Sequence, residues 1–175
     1  MSENRNNKYL TEERLSGILG IFYKDVEIIR DKCFPGHRFR PDFYIPELKL
    51  VIEFDGHLHY TEARYVLSDK NKEKTLVDAG ITLVRVPYFI QLNTRVISYL
   101  LNIDYAFTQV YPHGFIDKKV VLPADYCEIG IERFINDLEK FSFIKSEIIL
   151  SIKSKITSLQ NQNLVIPQSL AYLVN

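Results

Sequence analysis

Between Arg40 and Tyr60 the chain reads RPDFYIPELKLVIEFDGHLHY. Asp42, Glu53, Asp55, His57 and His59 stand there among strand-forming residues. A buried ionised carboxylate is costly unless it is paired or holds a cation. Asp42 and Glu53 fall at the ends of neighbouring strands on either side of a PEL turn, so the two can converge in space. Carboxylates with free oxygens suit Mg²⁺, with Mn²⁺ as a substitute, because these hard ions take oxygen donors and keep several waters. Asp55 follows Glu53 on the same face, about 6.5 Å further along, which gives Asp42, Glu53 and Asp55 as the metal set. The plainer alternative is a row of salt bridges to Arg38, Arg40 or Lys49. The clustering of acids and histidines at strand ends favours a site.

The positions around these acids are read from periodicity. TEERLSGILGIF places Leu15, Ile18, Leu19 and Phe22 on one helical face, with Thr11 as N-cap. In VEIIRDKCF, Val26, Ile29 and Cys33 could continue the helix, but β-rich composition and the Pro35-Gly36 turn favour a strand entering a hairpin. HRFRPDFYI alternates, with Phe39 and Phe43 on one side and Arg38, Arg40, Asp42 and Tyr44 on the other. KLVIEFDG is nearly continuous in apolar residues, as expected of a central strand covered on both faces. A helix from Ser68 to Gly80, a buried strand ITLVRV and a helix capped by Thr94 complete an α/β core. After about residue 104 the pattern turns helical, with two main helices and a short one near residue 168.

The motifs RPDF and IEFDG resemble the PD-(D/E)xK nuclease superfamily. The longer form PDF…IEFDGHLHY, followed by a basic helix and GITLVRV, is similar to its very-short-patch-repair-like branch. The resemblance covers about residues 10 to 90. It implies a restriction-endonuclease-like core, with a mixed central β-sheet flanked by helices, and a Mg²⁺-dependent endonuclease acting on DNA. Glu12, Asp42, Glu53, Asp55, His59 and Arg85 are the residues it carries over. The superfamily's usual lysine, two residues after the second acid, is replaced by Asp55; Lys49, Lys70 or Lys74 could take its role.

In the mechanism this implies, Asp42, Glu53 and Asp55 hold the metal. His59 orients a water or protonates the leaving oxygen, and the lysine offsets charge on the phosphoryl oxygens. His57 is as well explained by a surface hydrogen bond, and His37 and His113 lie in turn sequences with no assigned role. Glu12 is ordinary as a first-turn acid; only the resemblance gives it a catalytic role. Arg85, in an apolar strand, should reach an acid or a phosphate. Arg38 and Arg40, with Arg30 and Lys32, form a basic patch for DNA phosphates, and Lys70, Lys72 and Lys74 could follow the backbone or simply face solvent.

The 175 residues divide on this reading into a flexible segment 1–9, a nuclease core 10–103 and a helical C-terminal extension 104–175. The extension packs on the core or forms a homodimer contact. Lysine plus arginine equals aspartate plus glutamate at 22 each, which weighs against nonspecific coating of nucleic acid without excluding a nuclease. Cys33 and Cys127, far apart, read as reduced core residues. No apolar run reaches the roughly 20 residues of a membrane span, and no signal-peptide order opens the chain, so a cytoplasmic location without membrane contact is expected. Nothing calls for an organic cofactor. Restriction-type cleavage is the first expectation, with a strand-nicking repair or homing nuclease, or a noncatalytic DNA-binding module of the same fold, as alternatives.

Overall fold

A computed structural model describes residues 10–109, 115 and 125–175. The segment 1–9 and His113 lie outside the described residues. Three strands form one mixed sheet: β1 (Phe43–Ile45), β2 (Leu50–Asp55) and β3 (Thr82–Pro87), in the order β1-β2-β3. β2 runs antiparallel to β1 and parallel to β3. The strand with the two acids is therefore the central one. A single turn of 3-10 helix (Pro46–Leu48) links β1 to β2, and Lys49 closes it in the left-handed region at φ 48°.

Helix α1 (Glu12–Phe22) starts at Thr11, whose hydroxyl accepts from the Arg14 backbone N–H. Between β2 and β3 come a short α2 (Leu58–Thr61) and a long α3 (Ala63–Asp78), the crossover that a parallel strand pair requires. Gly80, at φ 68°, turns the chain out of α3 in a conformation glycine adopts readily. α4 (Thr94–Leu101) is capped by the Asn93 side chain rather than by Thr94. In the C-terminal part, α5 (Glu128–Lys140) and α6 (Lys145–Leu159) are followed by 3-10 turns, the last over Gln168–Leu173.

Alternation along β2 separates two apolar clusters. Leu50 and Ile52 join the large one with Leu15, Leu19 and Phe89; Val51 joins a smaller one with Phe34, Leu76 and Ile81 beneath α3. Phe134, Leu138 and Phe141 of α5 and its end belong to the large cluster, so the C-terminal helices share the core of the sheet.

Several further sequence expectations are corrected. Cys33 is exposed and Cys127 half-buried, so neither is a core residue. Residues 26–33 form no strand; only Ile29 pairs, through an isolated bridge to Tyr44. With no ladder to fix alternation, Phe39 packs in the smaller cluster while Phe43 lies in the large one. The helix expected from Ser68 begins five residues earlier, after Glu62, and so takes in the buried Val66.

Candidate active site

Antiparallel pairing sets Phe43 opposite Ile52, and one step further brings Asp42 beside Glu53. Asp42 Oδ2 accepts the backbone N–H of Phe54 at 2.7 Å, which anchors the carboxylate to the neighbouring strand. Glu53 is 2% exposed. Its Oε2 accepts from Lys72 Nζ of α3 at 2.7 Å, and its Oε1 is buried with no partner among the described residues. Burial and the charge of Glu53 push Asp42 up to about 7, against the opposing Phe54 hydrogen bond. Glu53 is also raised by burial, with Lys72 opposing. A further positive charge beside these acids would favour their ionised form.

Glu12, at the start of α1, adds to the negative field on Asp42 and pairs with Arg30 at 3.1 Å. Arg30 also binds Glu13 and Ser16 and lies over the Phe43 ring, so it belongs to α1 rather than to a basic patch. Arg38 and Arg40 are exposed on the loop before β1. Within that loop Phe39 stacks on Phe34 and lies 5.8 Å from Lys72 Nζ.

Further along β2 lies a second, denser group. Asp55 Oδ1 accepts from Arg85 at 2.8 Å, and Asp55 Oδ2 accepts from Arg133 of α5. Asp69 of α3 binds Arg133 through Oδ2, and the same oxygen lies 2.6 Å from His59 Nδ1. Burial alone would raise Asp69, but the His59 hydrogen bond and the Arg85 charge hold it well below the usual carboxylate range. Asp69 is thus ionised at neutral pH and accepts a hydrogen bond from His59 Nδ1, which leaves Nε2 outside that pair.

Asp55, His59 and Asp69 lie close enough to hold a metal ion, one ligand atom from each falling within 4.8 Å of the others. The same carboxylate oxygens are occupied by two guanidinium groups, which already neutralise them. At Glu53 the chemistry differs: one buried oxygen has no partner among the described residues, and the bond to Asp42 engages Oδ2 alone. Asp42 and Glu53 thus keep carboxylate oxygen outside the arginine pairs that engage Asp55.

Lys49 is exposed and about 13 Å behind Glu53 by the strand rise, and Lys74 pairs with Asp78 at the surface. Lys70 lines a cleft of about 210 Å³ between α3 and α5. Lys72 instead is the lysine that meets the second acid, a role sequence reasoning did not give it. Its signal was available: Val66, Asp69, Lys72 and Leu76 recur at helical spacing, so the two charged residues fall on the covered face of α3. Arg85, opposite Glu53 in the register, reaches Asp55 and Asp69 and has little charge left for DNA. His57 precedes α2 with no side-chain capping bond.

Comparison with family models, with curated proteins and with solved structures yields no match. Among the described residues no helix is long and apolar enough to cross a membrane.

Proposed function

We propose that this protein is a Mg²⁺-dependent endodeoxyribonuclease of restriction type, built on a restriction-endonuclease-like core. One observation carries the reading: Glu53 is buried with one oxygen unpartnered among the described residues and the other on Lys72 at 2.7 Å, beside the anchored carboxylate of Asp42. Two acids and a lysine around one point suit hydrolysis of a phosphodiester.

Asp42 and Glu53 would hold the ion, with Mn²⁺ as a substitute for Mg²⁺. When bound there, it lowers the pKa of water and draws the scissile phosphate to the strand ends. Lys72 sets a positive charge where negative charge develops on the phosphoryl oxygens. His59, fixed through Nδ1 by Asp69, presents Nε2 to take or deliver a proton. Glu12 strengthens the negative field on Asp42. Arg38, Arg40 and Lys70, all exposed, would grip backbone phosphates without reading sequence.

The test is incubation of supercoiled and linear plasmid with the protein and Mg²⁺, Mn²⁺ or EDTA, alongside Asp42→Ala and Glu53→Ala. The expected result is metal-dependent cutting, lost in both variants, with discrete bands from the linear substrate. Nicks alone would shift the reading to a strand-nicking repair or homing enzyme. DNA bound equally by all three proteins and cut by none would replace it with a noncatalytic binding module.

A further inference from the structure

Arg133 lies on α5, far in sequence from the acids of β2, yet its side chain reaches Asp55 and the partner of His59. One guanidinium nitrogen donates to Asp55 Oδ2 and the other to Asp69 Oδ2, the oxygen that His59 Nδ1 also meets. The same group lies 3.4 Å from the His59 carbonyl and 5.2 Å from the centre of the Tyr60 ring. Its side chain is 12% exposed.

The backbone around it is fitted to the same turn. The Cys127 N–H donates to the Tyr60 carbonyl at 3.0 Å, and Tyr60 donates its hydroxyl to Asp137 at 2.8 Å. At Gly130 a Cβ would stand 1.8 Å from the Tyr60 carbonyl oxygen, so α5 approaches α2 as closely as only glycine permits. Helix α5 thus contacts the backbone of residues 59 and 60.

We propose that Arg133 is a positioning residue for His59, so that the C-terminal helix completes the site. The inference rests on the nuclease reading above for the step His59 performs, and on geometry alone for the positioning. Arg133 acts through Asp69: by binding Oδ2 it fixes the acceptor that selects the imidazole tautomer and aims Nε2. Lysine at this position would keep the charge but lose the planar fork that bridges two carboxylates.

The experiment uses the full chain with Arg133→Lys, Arg133→Gln, His59→Ala and the double variants. With plasmid substrate and Mg²⁺, each Arg133 variant is expected to lower kcat by about 10- to 100-fold with KM unchanged. In the His59→Ala background the same change should have little further effect, since both act through one imidazole. An equal loss in both backgrounds, or a rise in KM alone, would overturn the proposal. The second readout needs no cleavage: the Nδ1–H resonance of His59, hydrogen-bonded to Asp69, should shift or vanish in whichever Arg133 variant retains its fold by circular dichroism. An unchanged resonance would also overturn it. If the wild type cuts no DNA, the nuclease reading fails by itself, while the resonance still decides the positioning.

Discussion

Lys72 on α3 reaches Glu53 on β2 across nineteen residues of sequence, with Nζ 2.7 Å from Oε2. The ammonium is 13% exposed and the carboxylate 3%, so the pair lies where water screens it weakly. Glu53 Oε1, in the same place, has no partner among the described residues. On the proposed reading, Lys72 is the lysine that serves this acid.

Replacing Lys72 by methionine should lower kcat by about 10²- to 10³-fold, the usual effect of removing one donor that stabilises transition-state charge. Affinity for Mn²⁺ should not fall, because the ammonium competes with the ion for Glu53. Steady-state cleavage together with calorimetric Mn²⁺ titration separates the two effects. A variant that cuts normally would remove Lys72 from the mechanism.

Asp42 makes stability depend on pH in an unusual direction. Its folded-state value is raised from 3.8 to about 7, so between those limits the folded state binds more protons than the unfolded state. Stability from this group is fully present below pH 4 and is lost as pH rises through 7. Asp42→Asn, without divalent ions, should therefore stabilise the protein at pH 8 by on the order of 2 to 4 kcal/mol, with no gain at pH 4. Urea unfolding at both pH values checks this. An equal effect at the two would contradict it.

Asp69 behaves oppositely. Its pKa is held below the usual range by His59 and Arg85 against burial, so its contribution is present above pH 4 and is lost as pH falls through the depressed value. Asp69→Asn should destabilise the protein at pH 7, and the difference from the wild type should shrink as the pH is lowered below 4. Thermal melts over that range give the measurement.

Gly130 offers a test of packing. An alanine there would drive its Cβ into the Tyr60 carbonyl at 1.8 Å, and backbone cannot yield as a flexible side chain can. Gly130→Ala should cost about 3 kcal/mol or more, in the range of severe overpacking. A melting temperature equal to that of the wild type would show that α5 does not approach α2 so closely.

Residue spacing was enough to read part of this. The apolar run around Glu53 marked a central strand, and the PEL turn brought Asp42 to it, because strand alternation and a tight turn are local properties. The extent of α3 was obscured by polar Glu62 and Arg64, which give no sign that the helix has already begun. Residues 26–33 have strand composition, but the Arg30 side chain is drawn to Glu12 and Glu13, and only Ile29 pairs with the sheet. Lys72 was hidden among neighbouring lysines that differ from it only in helical phase. Arg133 could not be assigned, since its partners Asp55 and Asp69 are 78 and 64 residues away and only packing of α5 brings them together.

The central claim is that Asp42 and Glu53, rather than Asp55, His59 and Asp69, hold the divalent ion. Calorimetric titration of Mn²⁺ into the wild type, Glu53→Gln and Asp69→Asn, each checked for fold by circular dichroism, tests it directly. The account predicts binding by the wild type and Asp69→Asn and none by Glu53→Gln. Binding that survives in Glu53→Gln and disappears in Asp69→Asn would contradict it.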